Sequence, residues 1–199
     1  MARPGRKILI PKTINMKMKL LALAICGLLS GSAIAQDVFS VESTKVKFFS
    51  EAPLENIEAV TTKSQALVNK ASKSFAFIIP IKSFEFDKEL MKEHFNENYM
   101  ESGTHKTGSF KGKIIGDVDF GKPGKYEVEA KGILKIHGVE QERTIKAVLE
   151  LTKNGFKIHS EFKVKLEDHK IEIPTVVFQN IAEVIDVTVD FAFIPKPKK

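Results

Sequence analysis

From residue 124 onward the chain alternates apolar and polar positions with a period of two, the pattern of strands buried on one face. Tyr126, Val128, Ala130, Gly132, Leu134 and Ile136 share one face, and Glu127, Glu129, Lys131 and Lys135 the other. Ile145, Ala147, Leu149 and Leu151 repeat the pattern, as do Phe156, Ile158, Ser160, Phe162, Val164 and Leu166. Ile185, Val187, Val189, Phe191 and Phe193 close the series. Asn154-Gly155 predicts a type I′ hairpin, whose two central residues need positive φ. Gly121-Lys122-Pro123-Gly124 and His137-Gly138-Val139-Glu140 predict two more reversals. Less regular strands are expected over 38–49, 57–69, 73–82 and 107–116.

One segment changes period. Leu90, Met91, His94 and Phe95 form an i, i+3, i+4 stripe, predicting a single short helix over about 88–97 with Asp87 as its cap. Glu167 to Asn180, which contains Pro174, reads as irregular. The expected class is all-β. Eight antiparallel strands, each with one apolar face, are best served by a closed barrel, which also removes the sheet edges. Strands this long suit a tilted barrel better than a sandwich.

Charge and cysteine change the picture only at the N-terminus. The 199-residue chain carries a formal charge of +6, with 31 basic and 25 acidic side chains. Arg3, Arg6, Lys7, Lys12, Lys17 and Lys19 lie in the first 35 residues, which contain no acid. Gln36 to Lys199 is therefore formally neutral, which argues against a nucleic-acid partner, since a grip on phosphates needs uncompensated Lys and Arg. Cys26, the only cysteine, also lies in this leader, so residues 36–199 hold no disulfide, thiolate metal site or thiol nucleophile. Lys17-Met18-Lys19, the apolar run Leu20–Leu29 and Ala33-Ile34-Ala35 read as a secretory signal peptide cut after Ala35. The apolar run is about half the length a membrane-spanning helix needs, so no transmembrane segment is expected. Residues 1–15 form a long extension, and Met16 or Met18 is the more natural start. Residues 36–199 read as one domain.

Leu90 to Ser102, followed by Phe110-Lys111-Gly112-Lys113-Ile114, resembles the helix-to-strand segment of the YceI-like family. Gly132 to Val139 resembles its strand-to-turn segment, and the closing strand over 181–193 fits as well. The likeness covers nearly all of residues 37–194. It implies a lipocalin-like barrel, exported to the periplasm or secreted, that holds a polyisoprenoid or similar lipid without any further cofactor. His105-Lys106-Thr107-Gly108-Ser109 departs from the Tyr-Pro-x-Ala-like stretch of many members, in a loop near the helix. The partner so implied is a hydrophobic small molecule; a homodimer is left open.

The residues themselves leave the barrel interior undecided. All 15 Phe lie beyond the leader and are numerous enough to plug a barrel. Ala130, Gly132, Ala147, Ser160 and Gly112 are small inward positions that leave volume. The resemblance favours a cavity. Its expected contacts are Phe77, Ile79, Phe110, Ile114, Tyr126, Val128, Leu134, Leu149, Phe162, Val164 and Val187, with Met91, His94 and Phe95 of the helix. No nucleophile elbow, phosphate loop or nucleotide fingerprint is present. The five histidines form no His-x-His or His-x3-His pair, so no metal site is expected. Asp117 and Asp119 read as solvated loop-edge carboxylates. Alternatives to a lipid binder are a barrel enzyme using His94 or Tyr126, and a plugged structural barrel.

Overall fold

The computed structural model describes residues 38–51, 55–173 and 181–196. The leader, its cut after Ala35 and most of the irregular stretch around Pro174 lie outside them. The described chain is mostly β, a closed eight-strand antiparallel barrel with one 11-residue helix. Ten strand segments build it: β1 (Val38–Ser50), β2 (Ile57–Thr61), β3 (Gln65–Asn69), β4 (Ser74–Pro80), β5 (Glu85–Phe86), β6 (Thr107–Ile115), β7 (Gly124–Ile136), β8 (Val139–Leu151), β9 (Phe156–Lys165) and β10 (Val184–Pro195). Neighbours from β6 to β10 pair in sequence order, and β10 pairs back onto β1 to close the wall.

The expected strand over 57–69 is one stave in two pieces, β2 and β3. Val46 lies opposite Thr61 and Ser40 opposite Leu67, so the same number of residues separates the pairs on both sides of the break. The break marks a change of phase. Ala59 and Thr61 are buried in β2, whereas Ala66 and Val68 are buried in β3. Adjacent β1 changes phase at the same level, through a bulge between Val41 and Ser43 against β10. Phe39 and Val41 pack on the core before the bulge; Thr44, Val46, Phe48 and Ser50 are buried after it. A bulge adds one residue to one strand, which reverses the facing of everything beyond it.

The hairpins correct two readings. Leu151 pairs with Phe156, leaving a four-residue loop, and neither Asn154 nor Gly155 has positive φ. The glycine serves a close approach instead, since a Cβ at Gly155 would lie 2.0 Å from the carbonyl oxygen of Phe193. The two-residue turn is His137-Gly138, between the paired Ile136 and Val139. Both residues there have positive φ, 51° and 75°, as a type I′ turn requires. Gly112 and Gly132 face each other across β6 and β7. A Cβ on either would lie 2.1 Å from a backbone oxygen of the other strand, so these glycines bring strands together and leave no lumen volume.

The helix, α1, starts later than expected and runs further. Lys88 occupies the N-cap, and no side chain caps it, so Asp87 does not hold that role. Glu89–His94 is α-helical and Phe95–Tyr99 widens into a π turn. Asn96 Nδ2 donates to the Lys92 carbonyl at 2.8 Å, and the amides of Met100 and Ser102 close on Phe95 and Asn96. The strand expected to reach residue 82 stops at Pro80, where a 3-10 turn, Ile81–Ser83, begins. A second 3-10 turn, Glu167–His169, opens the irregular stretch.

Outward positions carry cross-strand charge pairs: Lys47–Glu58, Lys131–Glu142, Lys135–Glu140 and Lys163–Asp186. His159 joins them, 2.7 Å from Asp190, on the outer face as its alternation indicates. Exposed pairs of this kind contribute little stability individually. Among the described residues no helix is long and apolar enough to cross a membrane.

Candidate functional site

The strand directions give the barrel two unlike ends. One end gathers the start of β1 and β9, the finish of β8 and β10, and the β6–β7 loop. There Phe156 and Phe193 stack with centroids 4.7 Å apart and planes 12° apart. Phe39 and Phe120 meet Phe156 edge-on at 5.1 and 5.7 Å. Phe156 and Phe193 are almost wholly buried. The loop bearing Phe120 is set by Asp119, whose carboxylate accepts the Gly121 amide at 2.9 Å. That backbone hydrogen bond, with Lys122 beside it, holds the Asp119 carboxyl below its ordinary pKa. Asp119 is thus a turn residue and not merely a solvated strand end.

The other half of the barrel is hollow. A cavity of about 530 Å³ lies between the strands and α1, within the range of small-molecule sites. The aromatic stack forms no part of its lining. Phe77 and Phe191 do, and both contact Phe193, so they form the cavity floor. The choice between plug and cavity is thereby resolved into both, one at each end.

Of the expected contacts, Phe77, Ile79, Phe110 and Ile114 line the cavity from β4 and β6. Val128, Leu134, Leu149, Phe162, Val164 and Val187 line it from β7 to β10, and Met91, His94 and Phe95 from α1. Tyr126 does not. It belongs to the plugged end, where its hydroxyl donates to the Lys122 carbonyl at 3.1 Å and its ring lies over Gly124. Inward alternation set its facing correctly, but facing alone does not give height along the barrel axis. Ala130, Ala147 and Ser160 do supply lumen volume.

Several lining residues were not singled out in the sequence. Phe48, Phe84 and Phe86 surround Phe95 in a second aromatic cluster, with centroid separations of 5.0–5.8 Å. Phe48 was obscured by the phase change in β1, and Phe84 and Phe86 by the short turn after β4. Ile81, Met100, Leu166 and Ile171 form a small separate core at the cavity side, with Tyr99, Ile136 and Ile181 against it.

Two serines of the cavity lining are already partnered. Ser160 Oγ donates to the Lys146 carbonyl at 2.7 Å, and Ser50 Oγ accepts the Ala182 amide at 2.9 Å. Burial raises the Tyr99 phenol above its ordinary pKa, so it remains uncharged. Among the described lining residues, charge appears at the rim, where Glu55 and Lys88 pair beside the exposed Leu90 and His94. The cavity therefore offers dispersion and burial along its length and polar contact at its mouth.

The YceI-like domain model matches residues 37–193, nearly all of the barrel. The chain belongs to the YceI-like family. Solved structures of other YceI-like folds agree with it. A polyisoprenoid binding domain from Saccharophagus degradans, implicated in plant cell wall breakdown, superposes with a TM-score of 0.68 at 12% identity, covering 79% of this chain and 98% of that one. BcnA of Burkholderia cenocepacia gives 0.64 at 14% identity, covering 75% and 95%. The Campylobacter jejuni YCEI protein gives 0.60 at 15% identity, covering 74% and 90%. At these identities the likeness establishes the shared barrel. Among curated proteins, no match is found.

Proposed function

We propose that this YceI-like protein sequesters or carries one long apolar chain, of polyisoprenoid type, with its tail in the barrel and its polar end at the rim. The observation that carries this reading is the half-hollow barrel, whose lining is mainly aliphatic and aromatic and whose Ser50 and Ser160 hydroxyls are spent on the protein's own backbone. Burying an alkyl chain contributes about 0.8 kcal/mol per CH₂, so such a site needs few polar contacts. The S. degradans relative is itself described as polyisoprenoid binding, which supports the ligand class. An enzyme would need convergent polar groups around a reacting centre. His94 lies at the rim and Tyr126 in the plugged end, so the two candidates for acid–base work do not converge.

The leader supports export to the periplasm or beyond, with a mature N-terminus at Gln36. Intact-mass measurement on exported protein tests that point; a product retaining Cys26 with added diacylglycerol would overturn it. The ligand is tested by organic extraction of purified protein and mass spectrometry. A co-purifying isoprenoid or long-chain lipid is expected at about one per chain. Finding no lipid, together with no binding of an added polyprenol, would refute the carrier reading.

A further inference from the structure

Beside the cavity rim, three side chains capable of binding a metal converge. Glu101 and His105 lie four residues apart on the turn that follows α1, where the amides of Thr104 and His105 both donate to the Glu101 carbonyl. His137 comes from the two-residue turn between β7 and β8. Its Nε2 is 3.5 Å from Glu101 Oε2, and His105 Nε2 is 3.8 Å from the same oxygen. The two imidazoles meet edge to face with centroids 4.5 Å apart. All three donor atoms lie within 4.8 Å of one another. The His105 ring rests over Gly138, where a Cβ would lie 2.7 Å from it. Only glycine leaves that space, and it does so at a φ of +75°.

The proton positions decide what this arrangement needs. His137 Nδ1 is 3.2 Å from the His169 carbonyl oxygen, an atom that can only accept. Nδ1 therefore carries the hydrogen, and a neutral His137 presents a bare lone pair at Nε2. That nitrogen is buried and has no hydrogen-bond partner. It faces a carboxylate oxygen, which also has only lone pairs to offer. Two lone-pair atoms held this close repel unless a proton or a cation lies between them. A carbonyl bond to the far imidazole nitrogen is also the usual way a metal-binding histidine is oriented. Zinc bonds to imidazole and carboxylate are about 2.0–2.2 Å, which places tetrahedral donors roughly 3.3 Å apart. The two spacings to Glu101, 3.5 and 3.8 Å, need only a small closure to reach that value, and the two imidazole donors, within 4.8 Å of each other, would draw together around the ion.

We propose that Glu101, His105 and His137 form a site for one divalent transition cation of the zinc class. Its fourth position opens to solvent on the exposed side of Glu101. Two imidazoles and one carboxylate suit zinc or cobalt better than magnesium or calcium, which prefer all-oxygen ligands. The cation would join the turn after α1 to the β7–β8 hairpin and, through the His169 carbonyl, to the 3-10 turn at Glu167–His169.

The test uses the full chain with Cys26→Ser throughout, so that no thiol competes. Zinc chloride is titrated calorimetrically, and cobalt chloride is followed by its visible absorption. One ion per chain is expected, with the strong visible bands of four-coordinate cobalt. His137→Asn is the decisive variant, because Asn is favoured at the first position of a type I′ turn and keeps the hairpin. Losing an outer partner alone typically weakens metal binding 10–100-fold, so losing this ligand should weaken it by about 100-fold or more. Glu101→Gln and His105→Gln should each do the same with unchanged circular dichroism. Absence of zinc binding in the parent chain would overturn the proposal, and so would equal zinc affinity in the parent and His137→Asn. A His137 ring found doubly protonated at neutral pH in the presence of excess zinc would also overturn it, since a proton would then supply the positive charge.

Discussion

The two ends of this barrel are built from the same residue type and do opposite things with it. At one end Phe39, Phe120, Phe156 and Phe193 pack ring on ring and fill the lumen. At the other, Phe48, Phe84, Phe86 and Phe95 pack around the edge and leave the middle hollow. The difference is one of placement. The filling rings project inward from the last pairs of β1, β9 and β10 and from a loop folded over them. Two rings of the hollow end come instead from the helix and the short turn after β4, which stand outside the strand ladder. An aromatic count therefore does not say whether a barrel is full; the elements that carry the rings do.

The largest effect that separates the ends is truncation in the stack. Phe193→Ala should destabilise the fold by about 3–5 kcal/mol, as removal of a packed aromatic does. Phe95→Ala, beside existing empty volume, should lose clearly less in the same urea titration. Equal losses would erase the energetic distinction between plug and rim.

Added volume gives the next contrast. Gly132→Leu should destabilise by at least the 1–3 kcal/mol typical of overpacking, because its first added carbon already meets the Lys111 carbonyl. Ala130→Leu, two residues earlier on the same face, points into the cavity and should leave the melting temperature unchanged or raised. That same Ala130→Leu protein should retain less lipid after extraction, since the new side chain occupies ligand space. Unchanged lipid content would place the ligand away from β7.

The smallest effect concerns the loop over the plugged end. Hydrogen bonding from Gly121 and the charge of Lys122 lower the Asp119 pKa below its ordinary 3.8. The stability this contributes is fully present above that ordinary value and is lost as pH falls through the folded-state value. Asp119→Asn should lower the melting temperature slightly at neutral pH, and the gap from wild type should close in acid. A gap independent of pH would remove the charge from the account.

The C-terminal half of this architecture was readable from residue order because β7 to β10 keep one phase from end to end. Leu134, Leu149, Phe162 and Val187, each on a different strand, do line one cavity. The N-terminal half resisted because β1 and its partner stave reverse facing at the same level, at the Val41–Ser43 bulge and between Thr61 and Gln65. Period-two reading assumes a constant phase and blurs where it changes. Asn154-Gly155 misled for a different reason: its glycine answers to the Phe193 backbone across space, which local sequence does not contain. The cluster of Glu101, His105 and His137 was hidden by distance along the chain. Only the Glu-x3-His spacing was local, and it gains meaning when the β7–β8 turn delivers the second imidazole.

The plugged end also sets rules for traffic. A channel can be threaded, with cargo entering at one side and leaving at the other. If the proposed chain is carried, a barrel stopped by Phe156 and Phe193 is a cul-de-sac, so a chain that goes in tail first comes out head first along the same path. Unloading then requires the acceptor, whether a protein or a bilayer, to engage the loading face. Donor and acceptor must take turns there, and two cargo chains cannot exchange by pushing one another through. Residence time for a long chain would become a matter of reptation back past the helix, and among the described residues the rim at Glu55, Lys88, Leu90 and His94 is where such a sequence of hand-offs would take place.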